Sequence, residues 1–310
     1  MPMISFSQYK WDVGVQVGAG NYIGDIGGGA GPARHYIADM KMGETRTGDG
    51  LFVRYKMFPS LSIQGGFAYT HVQGSDKDSP YENRRDRNLD FQDNIQEINL
   101  LAQYYFFEIN DLGHTYRYRN DFRAYAGIGV AGFHFNPLSL TEPPGYGNTP
   151  VALEPLQTEG HGYSLYGFAI PAQIGFYFTI EKRYRIGWDI TYRTTFTDEI
   201  DDVHGNYVDP ATLPGGANGK SAAFADRTGE VTSNPAILNN YGWLKTGEGL
   251  TNQPGGHANV RGYNDKNDDY LTTTINFSYA LRGKSTYYKS HYGSIFKGKK
   301  YKKRKFRAKF

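Results

Sequence analysis

The stretch Glu97–Phe106, EINLLAQYYF, decides the fold. Ile98, Leu100, Ala102, Tyr104 and Phe106 alternate in it with Glu97, Asn99, Gln103 and Tyr105. A period of two describes a strand with one apolar face and one less apolar face.

The same period recurs on both sides. Upstream, Trp11, Val13, Val15 and Val17 alternate with Asp12, Gly14, Gln16 and Gly18. Leu51, Val53, Tyr55 and Met57 alternate with Phe52, Arg54 and Lys56, and Leu61, Ile63, Phe67 and Tyr69 with Ser62, Gln64, Gly66, Ala68 and Thr70. Downstream, Phe122, Ala126, Ile128 and Val130 stand against Arg123, Tyr125, Gly127 and Gly129. Phe168, Ile170, Ala172, Ile174, Phe176 and Phe178 stand against Gln173, Gly175, Tyr177 and Thr179. Ile186, Trp188, Ile190 and Tyr192 face away from Arg185, Asp189 and Arg193, and Leu271, Ile275, Phe277, Tyr279 and Leu281 from Thr272, Thr274, Asn276 and Ser278. Each segment is long enough for a tilted strand to cross a bilayer, which takes about 9–11 residues. No amphipathic helix stands out.

The links set the topology. Phe58-Pro59-Ser60 and Glu181-Lys182-Arg183 are short, and residues 108–121 make a moderate link. The spans 19–50, 73–94, 136–164 and 196–269 are long. Short and long links therefore alternate strictly, as they do in a transmembrane barrel with periplasmic turns and extracellular loops. The expected fold is all-β: an eight-stranded antiparallel transmembrane β-barrel in the outer membrane, in contact with its lipid. A soluble up-and-down barrel would put its apolar face inward. Here the less apolar face carries Asp12, Arg54, Lys56, Glu97, Arg123, Arg185, Asp189 and Arg193. Eight strands enclose room only for side chains, so these residues are expected to fill the lumen as ion pairs.

Composition agrees. Mean hydropathy is −0.60, low because the strands alternate. Aromatic residues make up 15%, with 26 Tyr, enough for girdles at both membrane interfaces. With no Cys, disulfide and thiolate chemistry are excluded. Residues 1–8 (MPMISFSQ) read as a signal-peptide remnant, 9–282 as the barrel and 283–310 as a basic periplasmic tail. Lys299, Lys300, Lys302, Lys303, Arg304, Lys305 and Arg307 lead that tail, with Tyr301, Phe306 and Phe310 among them. A protein or lipid-phosphate surface suits it, and its place outside the cell interior excludes nucleic acid.

Other motifs carry less. The glycines from Gly14 to Gly29 do not form a phosphate loop, because no helix follows. Asp198, Glu199, Asp201, Asp202 and Asp209, with Asn264, Asp265, Asn267, Asp268 and Asp269, read as a solvated acidic rim, with Ca²⁺ the alternative. Glu159, His161 and Ser164 are hydrolase-type residues with no distinctive spacing, and the eight His form no metal pair. The reading is therefore non-enzymatic, with no catalytic residue, metal, cofactor or small-molecule substrate.

Several runs resemble the PorG-type barrels of Bacteroidetes: GVQVGAGNYIGDIGG (14–28), RNLDFQDNIQEINL (87–100), AYAGIGVAGFHFNP (124–137), LEPLQTEGHG (153–162), ITYRTTFTDEIDDVHGNYVD (190–209) and RGYNDKNDDY (261–270). The resemblance covers about Lys10 to Leu281 and stops before the basic tail. It implies a role in the type IX protein secretion system: a barrel that anchors a periplasmic ring, built from a lipoprotein and a partner subunit, to the outer membrane. The runner-up is a small OmpA- or OmpW-like barrel acting as a surface adhesin or as a conduit for small apolar molecules.

Overall fold

The computed structural model describes residues 10–28, 40–77, 79, 82–114, 120–231, 260–262 and 266–281. The proposed signal remnant (1–8) and the basic tail (283–310) lie outside the described residues.

Eight strands follow one another: β1 (Trp11–Ile23), β2 (Arg46–Phe58), β3 (Leu61–Ser75), β4 (Asp90–Asn110), β5 (Asp121–His134), β6 (Tyr166–Ile180), β7 (Tyr184–Thr195) and β8 (Asp269–Leu281). Each pairs antiparallel with its neighbours, and β1 pairs with β8 from Trp11↔Leu281 to Ile23↔Asp269, closing the barrel. Closure leaves no strand edge, which a backbone in lipid requires because no water is there to bond it. The β5–β6 ladder skips two pairs, between Ile128↔Ala172 and Ala131↔Ala169. Pro171 falls in the gap and has no N–H to give.

Alternation sorts the side chains. Val13, Leu51, Ile98, Leu100, Ile128, Val130, Phe168, Ile174 and Ile275 point outward and are exposed, while Asp12, Arg54, Gln64, Gln103, Thr274 and Ser278 point inward and are buried. Ile98, 70% exposed, sits next to Glu97, 1% exposed. An apolar face left outside and ions kept inside is the signature of a membrane-spanning barrel, and the chain is an outer-membrane protein. The tight β6–β7 turn places Glu181 and Lys182 at φ of 53° and 64°, where side chains other than glycine are uncommon.

Two expectations need correction. Residues 73–94 are not one long loop: β3 runs to Ser75 and β4 starts at Asp90. This extension reverses the polarity of the wall. Phe91 and Ile95 point inward and are fully buried, while Asp90, Gln92, Asn94 and Gln96 take the outer face. Water, not lipid, bounds the barrel there. The loops also carry short helices, α1 (Glu82–Arg87), α2 (Lys220–Ala225) and α3 (Thr228–Val231), none longer than six residues.

The loops pack over the extended wall as a cap. Its core joins Ile26, Val72, Leu89 and Phe91 with Phe133, Phe135, Ile200, Val203 and Phe224. The extracellular end is thus closed by an apolar core of the ordinary soluble kind.

Ile128→Arg tests the lipid-facing assignment. Ile128 is 62% exposed and pairs with Ala102 and Ala172. On a water-facing surface the change would be near neutral. On the lipid face it is expected to lower stability by about 2–4 kcal/mol, read from urea titration of the barrel in lipid vesicles by electrophoretic mobility.

Candidate functional site

From the turn end upward the lumen is filled in layers. At its mouth Arg123 binds Glu108 at 2.5 Å and Asp121 at 3.2 Å, and its guanidinium lies 5.4 Å from the Tyr105 ring centre. Next, Asp12 Oδ2 receives Arg54 at 3.3 Å, Arg185 at 2.5 Å and Ser278 Oγ at 3.2 Å. Arg54 is fully buried, with the rings of Phe52, Tyr125 and Tyr177 5.1–5.5 Å from its guanidinium. Its other nitrogens donate to Gln64 at 2.9 and 3.2 Å. Gln103 continues the chain across the axis, donating to Gln64 at 3.0 Å and to Gln173 at 2.7 Å. Asp189 accepts from Tyr125, Thr274 and Asn276. Gly175 makes that possible: a Cβ there would lie 2.6 Å from the Asp189 Cβ and 2.9 Å from the Tyr125 hydroxyl. In the top layer Glu97 receives Arg193 at 2.5 Å, Tyr270 at 2.6 Å and Asn99 at 2.5 Å, and Arg193 also donates to Thr272.

Of the eight residues expected to pair, the structure brings Asp12 together with Arg54 and Arg185, and Glu97 with Arg193. Arg123 instead takes Glu108 and Asp121, carboxylates of the turn end. Two residues depart from the expectation. Asp189 is held by neutral donors. Lys56 has no carboxylate partner among the described residues and rests 5.8 Å from the Tyr105 ring centre. Alternation names the inward positions but not which of them touch across the axis. Sequence reasoning placed Tyr105, Tyr125 and Tyr177 on the less apolar face but gave them no role, and they form a cluster of their own. Their signal was aromatic residues on the less apolar face.

The cap holds a second polar network. Arg87 donates to Asp76 at 2.6 and 3.0 Å and to the carbonyls of Asp25 and Arg261. Arg261 binds Glu159 at 2.9 Å and Asp202 at 3.5 Å. These two arginines, unassigned from sequence, tie four loops together. The acidic residues expected on a solvated rim are buried: Asp198, Asp201, Asp202 and Asp268 are at most 5% exposed. They turn inward because backbone amides need their oxygens. Asp201 accepts from Ile26 and Val203, and Asp268 from Ile200. Asp209 stays at the surface, where it caps a short 3₁₀ turn, and Asn264 and Asp265 lie outside the described residues. Among the described residues no three His, Asp or Glu side chains are arranged to hold a metal ion. His161 bonds Glu199 at 3.2 Å and the backbone carbonyl of Glu159 at 3.3 Å, whereas Ser164 Oγ bonds the backbone of Tyr166, so the side chains of the three hydrolase-type residues are not bonded to one another.

Between Asp201 and Asp268 stands the Tyr22 hydroxyl, 2.6 and 2.5 Å from them. A phenol has one proton to donate. It can donate to only one of the two carboxyls, and its oxygen also accepts from the Asp25 N–H at 3.1 Å. Burial, then the neighbouring carboxylates, push both carboxyls well above their usual range. Burial and the charges of Asp268, Asp25 and Asp201 push Asp198 up to about 12.

Residues 3–216 match a family model described as a domain of unknown function, DUF6089. The chain belongs to that family. The match runs from ahead of β1 into the loop after β7, so the DUF6089 region holds seven of the eight strands. No curated protein matches the chain. Solved structures that overlap it include Neisserial surface protein A (7% identity, 89% of this chain and 98% of that one, TM-score 0.39). The outer membrane protein OprG of Pseudomonas aeruginosa overlaps at 12% identity, 89% and 98% coverage and TM-score 0.37. The attachment protein Ail of Yersinia pestis overlaps at 8%, 88% and 99%, with TM-score 0.35. The fold assignment of this DUF6089 barrel rests on its own closed ladder.

Removing one partner of a buried pair should cost more than removing both. Arg193→Leu leaves Glu97 charged in the lumen and is expected to destabilise the barrel by about 3–5 kcal/mol. Glu97→Leu combined with Arg193→Leu is expected to recover most of that loss. Urea unfolding of the three variants in vesicles checks both.

The cap carries a pH dependence. Carboxyls raised in the folded cap bind protons that the unfolded loops release above about pH 4. Folding therefore takes up protons, and cap stability falls as pH rises from about 4 through the folded values. Amide exchange at Ile200 and Val203, corrected for intrinsic rates, is expected to lose protection between about pH 5 and pH 10. Tyr22→Phe removes a hydrogen bond that holds Asp201 and Asp268 down, so it is expected to push both carboxyls further up and extend the loss of protection to higher pH. Protection that is equal at both pH values would mean the carboxyls stay ionised throughout.

Proposed function

We propose that this barrel is a non-enzymatic anchor, fixing a periplasmic ring complex of the type IX secretion system to the outer membrane. One observation carries the move away from transport: lumen contacts join strands that are not neighbours, at Asp12–Arg185, Arg54–Tyr177, Gln103–Gln173 and Glu97–Arg193, and the cap core closes the far end. A barrel braced across its lumen and capped at one end is suited to act through its ends. The resemblance of runs such as 87–100 and 190–209 to PorG-type barrels favours the periplasmic end. The ring lipoprotein and its partner subunit are then the partners. The contacts would be the β4–β5 turn, whose Glu108 and Asp121 flank Arg123, and the 283–310 tail.

The adhesin reading keeps one observation in its favour. The extracellular loops form an ordered cap, with a surface cleft of about 780 Å³ between Lys77, Arg85, Glu142 and Arg227. The conduit reading has the filled lumen against it.

Purification of the tagged barrel from native outer membranes in mild detergent is expected to bring down the ring proteins. Deleting residues 297–310, with nine Lys or Arg in fourteen positions, is expected to reduce their recovery at unchanged barrel level. Undiminished recovery would remove the tail from the interface, and the absence of ring proteins from the intact barrel would sink the anchor.

A further inference from the structure

At the turn end of the lumen, among the described residues, the cations Arg54, Arg185, Arg123 and Lys56 outnumber the carboxylates Asp12, Glu108 and Asp121 that answer them. Arg54 and Arg185 share the single carboxylate of Asp12. Arg123 occupies both Glu108 and Asp121. Lys56 is left with the face of Tyr105, and the charges that act on it are Arg123, Glu108, Arg185 and Asp121. Asp189, the other carboxylate of this half, is filled by Tyr125, Thr274 and Asn276.

Two buried groups in the same region have no partner: the Nε of Arg185 and the hydroxyl of Tyr177, on residues that are 8% and 0% exposed. They adjoin Lys56 through a short run of rings. The Arg185 guanidinium lies 5.0 Å from the Tyr177 ring centre, Tyr177 stands 5.9 Å from Tyr105, and Lys56 and Arg123 both rest on Tyr105. Thr179 Oγ1 is also unpartnered, but Thr179 faces Asp121 across the ladder, where Asp121 Oδ1 is open, and a single bridging water would complete both. The open Oδ1 of Asp12 belongs to a carboxylate already neutralised by two guanidiniums.

Two buried donors left without acceptors are costly, and the Lys56 ammonium in the same region has no carboxylate partner among the described residues. One oxyanion would satisfy all three. Lys56 is half-buried and lies two residues before the end of β2, so the position opens toward the periplasm.

We propose that the periplasmic mouth of the barrel binds one oxyanion, held by Lys56 Nζ, Arg185 Nε and the Tyr177 hydroxyl. The oxyanion is either free phosphate or a carboxylate carried in by a protein chain.

Calorimetric titration of the full-length barrel in zwitterionic detergent tests this. Inorganic phosphate is one titrant, and a short blocked peptide with a single glutamate is the other, both at constant ionic strength. At least one is expected to give a saturable event of one site per barrel. Lys56→Gln is expected to weaken it about tenfold or more. Tyr177→Phe, which removes only a hydroxyl, should weaken it less, and electrophoretic mobility verifies that each variant is folded. Saturation by phosphate alone names the free ion as the ligand, and saturation by the peptide names a protein carboxylate. The proposal fails if neither titrant saturates. It also fails if binding survives both substitutions, as phosphate collected by the basic tail would.

Discussion

A charge inside a lipid-walled tube has no water to turn to, and most of this lumen follows from that fact. Taking an ion from water costs several kcal/mol even after relaxation, so each inward charge must find an answering group within the width of eight strands. Asp12 draws two guanidiniums, and Glu97 draws one guanidinium, a phenol and an amide. Each of the four lumen guanidiniums, Arg54, Arg123, Arg185 and Arg193, also lies against at least one ring. Glycine appears where the answering group needs room, as at Gly175 beside Tyr125 and Asp189.

The same requirement fixes where the membrane ends. Up to the Glu97–Arg193 layer the wall is apolar outside and polar inside. One step above it, Ile95 and Phe91 point inward and Gln96 and Asn94 outward. Nothing in the strand geometry changes at that point, since β4 continues as one strand from Asp90 to Asn110. What changes is the solvent on the outer face. The upper part is therefore built like a soluble barrel and can carry an apolar core, and the loops fold onto that core as a cap.

This explains what could be read from the sequence. The lipid-facing stripes Val13–Val17, Ile98–Phe106 and Phe168–Phe178 were legible because one solvent imposes one sense of alternation over a full crossing. The run from Asp90 to Gln96 also has a period of two, but in the opposite sense, so a search for lipid-facing strands passes over it. Pairing was less legible than placement. Lys56 and Asp189 sit on the inward face as expected, yet whether they meet an opposite charge depends on which strands face each other across the axis, and a linear pattern has no record of that. The acidic clusters around Asp201 and Asp268 misled for a related reason. Carboxylates usually seek water, but here backbone amides of Ile26, Ile200 and Val203 supply what water would.

The direction of the lumen contacts bears on function more than their number does. Side chains lining a channel lie along the wall and leave the axis open. Here they span strands that are not neighbours: β4 to β6 through Gln103 and Gln173, β2 to β6 through Arg54 over Tyr177, β1 to β7 through Asp12 and Arg185, and β4 to β7 through Glu97 and Arg193. Such cross-braces resist flattening of the cross-section, which the wall's own hydrogen bonds do not, because a closed ladder can shear and ovalise without breaking. A transporter has no use for bracing that blocks its path. The anchor proposed above would be loaded from one side, at the β4–β5 turn and the 283–310 tail, and cross-braces suit a load of that kind.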